Sequence, residues 1–243
     1  MKIRQWCMLL LACLLLAGCS GKETAPKMQV ANYKNWVNVK VDNTATFQIP
    51  PTMEIQSDIY RKKALEAVKN DQAKFASLQK RQAIQTKIGN IVCQQKGLNE
   101  QGPAQIDKQK YARVIFKTLP LGGSEKVPTY GQPLGLSAKQ IKEYGEITKN
   151  GIIEGEKAMG RNAKFFNWMP MKSEIINGVE CLHIAYERQI DSQPAVKFDV
   201  YSFFNKDRVH TLSIAYRLTE QEFWHAKDND LNNIINTLQI TKR

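Results

Sequence analysis

The sequence predicts an α+β fold, an antiparallel meander of strands covered by helices on both faces. Three observations in the last third of the chain carry that prediction. Turn-forming groups punctuate strand-like stretches there: Asn177-Gly178 separates Lys172–Ile176 from Val179–Arg188, Gln189–Pro194 supplies the next turn, and Asn205-Lys206-Asp207 the one after. Asn-Gly is the strongest short hairpin signal, because both residues accept positive φ. Strands are expected at about 179–188, 195–204 and 208–217.

The second observation is that both faces of this meander are largely apolar. With the register those turns suggest, one face carries Leu182, Ile184, Tyr186, Asp199, Tyr201, Phe203, His210, Leu212, Ile214 and Tyr216. The other carries Val179, Cys181, His183, Ala185, Val196, Phe198, Val200, Val209, Thr211, Ser213 and Ala215. A sheet apolar on both sides needs a cover on each. Third, Thr219-Glu220-Gln221-Glu222 reads as a capping box opening a helix. Trp224, Leu231, Ile234, Ile235 and Leu238 would form the stripe that docks that helix on the sheet.

Upstream, Tyr33–Ile49 alternates as one or two strands ended by Pro50-Pro51. Ser57 to about Lys87 reads as one long amphipathic helix, with Leu65, Val68, Phe75 and Leu78 on its apolar stripe. Gly89–Gly97 and Tyr111–Leu119 look like two further strands, joined by a polar loop containing Gly102-Pro103. Leu119–Pro133 is a Gly- and Pro-rich loop. Ser137-Ala138-Lys139-Gln140 is a second capping box, Asn150-Gly151 is the expected stop of the helix it opens, and Ile152–Met159 reads as a further short helix. Lys164–Met169, with Phe166 and Trp168 on one side, leads into the meander.

The chain opens with Met1-Lys2-Ile3-Arg4 and a nearly continuous apolar run from Trp6 to Ala17. A basic start followed by an apolar run too short to span a bilayer is a signal peptide. Leu16-Ala17-Gly18-Cys19 resembles the bacterial lipobox, which implies cleavage before Cys19 and lipidation of its sulfur. Paired acyl-type chains anchor far more firmly than one. Residues 1–18 are therefore expected to be removed, 19–30 to be a lipidated tether, and 31–243 to form a single domain. The expected place is the cell envelope, with Ser20 favouring the outer membrane by the enterobacterial rule.

Loss of Lys2 and Arg4 takes the formal charge from +12 to +10. The 57–87 segment is strongly basic: Arg61, Lys62, Lys63, Lys69, Lys74, Lys80, Arg81 and Lys87 stand against Asp58, Glu66 and Asp71. On an unbroken helix Lys62, Lys69, Lys80 and Lys87 form one row, and Lys63, Lys74 and Arg81 a second. Such a face suits anionic lipid or acidic envelope polymer, and equally a solvated outer surface. Nucleic acid is disfavoured, since Tyr60 and Phe75 are the only aromatics there to stack on bases.

Cys93 and Cys181 remain as thiols beyond the leader. Outside the cytoplasm they are either a disulfide, worth about 4–5 kcal/mol in the chain-entropy model, or two buried small hydrophobes. The sequence has no Gly-x-Ser-x-Gly, His-Glu-x-x-His, P-loop or dinucleotide fingerprint, so neither a catalytic residue nor a cofactor is assigned. His183 and His210 are expected on opposite faces, and His225 with Asp228 supplies two ligands without a third, so no metal is assigned. Asp199 is the chemical oddity, an acid among Ile184, Tyr201 and Ile214. It is either a desolvated functional carboxyl or a buried Asp tied to a tyrosine or to Lys197.

Several stretches together resemble a family of uncharacterised secreted or lipid-anchored bacterial proteins. They are Phe47-Gln48-Ile49-Pro50, Ile91–Asn99, Tyr111-Ala112-Arg113-Val114, and the tail from Asn177-Gly178 through Tyr201–Asn205 and Ser213–Arg217 to Asp230-Leu231. The ending is also similar in outline to the PsbP/Mog1-like fold, an α/β/α sandwich. The resemblance implies an aromatic where Cys93 stands, so a bridge there would be peculiar to this chain. It brings no catalytic residue. PsbP-like proteins are accessory subunits, which implies an accessory or scaffolding role with an envelope protein as partner. The alternative is a small-ligand module whose pocket between sheet and helix is walled by Trp168, Asp199, Tyr201 or Tyr216, and a third possibility is an envelope enzyme.

Overall fold

The structure, a computed structural model, describes residues 30–85, 89–106, 110–121 and 128–241. Cys19 and the expected leader and tether up to residue 29 lie outside the described residues. Among the described residues no helix is long and apolar enough to cross a membrane.

Seven strands form one antiparallel sheet: β3 (Met53–Ile55), β4 (Ile91–Gln95), β5 (Ala112–Pro120), β9 (Arg208–Arg217), β8 (Val196–Asn205), β7 (Val179–Ile190) and β6 (Ala163–Ile176), in that spatial order. A second, small sheet holds β1 (Val37–Val41), β2 (Ala45–Ile49) and β10 (Gln239–Ile240) in the order β1-β2-β10. The hairpin turn at Asn177 (φ 52°) and Gly178 (φ 77°) joins β6 to β7 as its dipeptide demands.

Both faces of the large sheet are covered, but the register of β7 differs from expectation by one residue. His183 pairs with Tyr201 and Ala185 with Asp199, so Cys181, His183 and Ala185 join Asp199, Tyr201, Phe203, Leu212, Ile214 and Tyr216 on one face. Leu182, Ile184 and Tyr186 lie on the other with Phe198, Val200 and Phe204. Because side chains alternate, a one-residue slip exchanges every residue of the strand between faces. His183 and His210 therefore share a face, contrary to the opposite placement expected.

The first face packs against the small sheet and the C-terminal segment, burying Trp36, Phe47, Ile49, Trp224, Leu231, Ile234, Ile235 and Leu238. The segment is not the expected helix. A 3-10 turn at Leu218–Glu220 leads into α5 (Gln221–Trp224), a single turn, and two further 3-10 turns follow at Leu231–Asn233 and Ile235–Thr237. No side-chain capping bond forms at Thr219. The intervening Asp228-Asn229-Asp230 favours turns over helix, and Asp230 spends its carboxylate on the Asn232 amide.

The second face packs against α4 (Ala138–Ala158), whose capping box at Ser137 and Gln140 is present as expected. The helix runs through Asn150-Gly151 and ends at Met159, with Gly160 at φ 66° just beyond. Near β4 the same side carries two helices, α1 (Asp58–Glu66) and α2 (Gln72–Gln85), followed in the chain by α3 (Leu98–Gln101). The single long helix expected at 57–87 is therefore broken. The Asp71 carboxylate accepts the Lys74 amide at 3.0 Å and restarts the helix, so the two lysine rows do not persist.

Cys93 and Cys181 are buried free thiols, and the disulfide expected as one alternative is overturned. β5, β9 and β8 lie between their strands, which puts the two cysteines on the order of 19 Å apart at the usual strand spacing. A bridge needs Cα atoms within about 7 Å. Burial pushes each thiol up to about 12, so both act as inert small hydrophobes.

Candidate functional site

Across the first face runs a chain of charged and polar side chains from one edge of the sheet to the C-terminal segment. Lys172 Nζ lies 2.5 Å from Glu174 Oε1, and Glu174 Oε1 lies 3.3 Å from His183 Nδ1. The other ring nitrogen, Nε2, donates to Asp199 Oδ1 at 3.1 Å, and Tyr201 stacks on the imidazole at 4.2 Å. Asp199 Oδ2 is 3.4 Å from Lys197 Nζ, and Lys197 faces Tyr216 as its cross-strand neighbour on β9. Tyr216 meets His225 Nε2 at 2.8 Å, and His225 Nδ1 meets Asp230 Oδ1 at 3.1 Å.

The electrostatics of this chain favour fixed charges rather than a reactive group. Burial pushes the Asp199 carboxyl up, but the His183 hydrogen bond and the Lys197 charge outweigh it and hold it below its ordinary value. Glu174 is likewise held down, with Lys172 and His183 overcoming its desolvation. Burial raises both phenols, Tyr201 and Tyr216, so each keeps its proton. Tyr216 is 1% exposed, which denies its oxygen to a substrate. Asp199 thus takes the Lys197 partner weighed from the sequence and adds His183, which the expected β7 register had placed on the far face.

The chain meets the surface at His225, in an open hollow of about 620 Å³ shared with Leu218, Thr219, Gln221 and Glu222. The partner of His225 is Asp230 rather than Asp228. Among the described residues no group of three or more potential ligands could hold a metal ion.

The four pocket residues expected from the sequence divide between the faces. Asp199, Tyr201 and Tyr216 lie on the first, whereas Trp168 lies on the second, stacked on Tyr186 at 4.5 Å. Trp168 therefore shares no pocket with the other three. Trp168 instead lines a groove of about 410 Å³ between α4 and β6, with Lys142, Glu146, Lys149, Met169 and Pro170. Gly145 lets helix and strand close to contact there: a Cβ on it would stand 2.9 Å from the Met171 Cβ. Beside the groove β6 is irregular, with Asn167 at φ 49° and register shifts on either side of Met169. Those bulges, and Pro170 within a strand, are tolerated because β6 is an edge.

The basic residues divide as well. Lys62, Lys63 and Lys69 line an open cleft of about 660 Å³ between α1 and the 3-10 turn at Pro103–Gln105. Lys74 pairs with Asp71 at 3.0 Å, and Lys80 is exposed on α2. The Arg81 side chain and Lys87 lie outside the described residues.

Two polar hubs were missed in the sequence. Glu156, 6% exposed, receives Arg161 at 2.9 Å and Arg188 at 2.5 Å, tying the end of α4 to β7. Gln94, fully buried, accepts from Gln56 and Arg113 and donates to Glu54 and Asn99. An acid at helical spacing from Gly145 and Ile152, on the packed side of its helix, and paired glutamines in a strand were the available signals.

No family model matches the chain, and a comparison with curated proteins gives no match. Solved structures do. Cyanobacterial PsbP (CyanoP) from Synechocystis sp. PCC 6803 is 9% identical with a TM-score of 0.41, covering 93% of this chain and 98% of that one. The Ran-binding protein Mog1p of Saccharomyces cerevisiae is 11% identical with a TM-score of 0.44, covering 86% and 96%. The PsbP/Mog1-like outline expected from the tail is met again there, and the likeness concerns the fold alone.

Proposed function

We propose that this chain is a lipid-anchored accessory protein of a bacterial envelope that binds a protein partner along β6. The observation that carries the reading is the edge itself. β6 is 14 residues long and ends the seven-stranded sheet, and its outer backbone groups meet no further strand among the described residues. Beyond the bulges its last part, Lys172–Ile176, keeps a regular register with β7. Ile175 on it is 72% exposed, and Met169 beside the groove is 48% exposed. An extended partner segment adds to such an edge through main-chain hydrogen bonds, while exposed apolar side chains supply contact area. The lipobox at Leu16–Cys19 supports the envelope address.

The test is a photo-crosslinking residue at position 175 in the full chain, expressed in its own envelope, with exposed Lys40 as the control position. A reproducible protein adduct at 175 and none at 40 is expected; equal background at both sinks the reading. The Trp168-lined groove favours a second reading, a small apolar ligand between sheet and helix. Thermal stabilisation by a metabolite, cancelled by Trp168→Ala, would move the assignment there.

A further inference from the structure

We infer that the outward face of α1 is a docking surface for an anionic lipid bilayer. Tyr60 and Ala64 are the residues α1 buries, and they pack on Leu98. Ile59, Lys62, Lys63 and Glu66 fall at the i, i+3, i+4 and i+7 positions that share a second face, turned away from Tyr60 and Ala64. Ile59 is 63% exposed, an aliphatic side chain set in water on a helix that had an apolar side to bury it in. Lysines stand around it. Lys62 has no ion-pair partner among the described residues, and Lys63 donates to the Glu100 carbonyl at the rim of the cleft. Lys69 is joined to Glu66 only by an exposed pair at 3.0 Å. The cleft they line is floored by Ala67, Pro103 and Ala104.

An exposed aliphatic tip ringed by lysines is the pattern of an interfacial helix: the tip enters the headgroup boundary while the ammonium groups stay with the phosphates. Charge decides the occupant, since three lysines stand against one glutamate at the cleft and the chain without Lys2 and Arg4 carries +10. The chain before Val30 points the same way, a clause that rests on the anchor reading. Residues 19–29 reach at most about 40 Å from a lipidated Cys19, so the domain stays within contact of the bilayer that holds it.

The experiment places a solvent-sensitive fluorescent amino acid at position 59 of the full chain, with a second version at position 175, and adds phosphatidylcholine or phosphatidylglycerol vesicles. Emission at 59 should shift to the blue with phosphatidylglycerol only, while emission at 175 stays unchanged. High salt should reverse the shift, because it screens exposed charges within a few ångströms. Replacing Lys62, Lys63 and Lys69 by Gln should lower the ratio of docked to undocked protein on the order of 100-fold. Identical emission at 59 with both lipids overturns the inference, as does an equal shift with soluble polyglutamate and no vesicles, which would assign the face to an acidic polymer. Salt reversal in the position-59 version with all three lysines intact decides the matter even if the triple variant folds poorly. Co-flotation with phosphatidylcholine vesicles reads the anchor separately, so loss of the anchor and loss of the docking face give different results.

Discussion

The two faces of the large sheet are both covered, yet by different kinds of chain and to different depths. On the first, irregular turns seal the surface: Leu231 and Ile234 are completely buried, and Trp224 and Leu238 are 1% exposed. On the second, a regular 21-residue helix with a proper cap buries only Gly145 and Glu156 and leaves a groove beside Trp168. Regular secondary structure is therefore no guide to where this core is deepest. Turns can follow the contour of a twisted sheet, whereas a straight helix touches it along one line. The sealed face is also the one that holds the Glu174–His183–Asp199–Lys197 chain, whose middle pair, His183 and Asp199, is buried while Glu174 and Lys197 at its ends reach water.

The largest expected difference between the faces is in packing energy. Leu231→Ala should destabilise the protein by about 2–5 kcal/mol, the range for emptying a closed core site. Ile141→Ala, on the half-buried stripe of α4, should cost about 1 kcal/mol. Urea unfolding of the two variants checks this, and equal losses would break the contrast.

A second difference is in pH response. His210 on the sealed face has Thr118 Oγ1 at 3.1 Å from Nδ1 and no partner at Nε2. Burial, with the nearby Arg208 charge, pushes it down to about 4. The unfolded chain takes up this proton below about 6.5 and the folded chain only near 4, so stability should fall by about 2–3 kcal/mol as pH drops between them. Asp199 and Glu174, both held down, contribute fully above the ordinary carboxylate range and begin to lose that contribution as pH enters it, so they add to the slope only at its acid end. Stability measured from pH 7 to 4.5 should slope in the native sequence and flatten in His210→Phe; an unchanged slope would show that other groups set it.

The smallest effect separates the two capping sequences. Ser137→Ala should cost about 1 kcal/mol, because the Ser137 hydroxyl accepts the Gln140 amide. Thr219→Ala should stay within about 0.5 kcal/mol, since Thr219 is exposed and caps nothing. Thermal unfolding of both variants reads the difference.

Most of the fold was legible in local patterns. The β6–β7 hairpin followed from Asn177-Gly178, the β8–β9 register from the short turn at Asn205–Asp207, and the start of α4 from Ser137 and Gln140. The failures share a cause. In β7, Val179–Tyr186 is apolar at both parities, so alternation could not say which residues face which way, and the longer loop at residues 191–195 did not set the register. The C-terminal residues had helical spacing, but burial in a sealed core can be met by any backbone that delivers the same side chains. The candidate site depended on the β7 slip: without it, His183 does not reach Asp199.

By itself the sequence determined the alternation, the Asn177-Gly178 and Asn205–Asp207 turns, the cap at Ser137, the two apolar faces and the basic composition of 57–87, because each depends on a few neighbouring residues and the φ, ψ values they accept. The tertiary structure alone decided the face of β7, the separation of Cys93 from Cys181 by three strands, and the gathering of Lys62, Lys63 and Lys69 around one cleft with Pro103 and Ala104. Those are properties of residues far apart in the chain. Their energies depend on which surfaces meet, and local conformational preference carries no record of that.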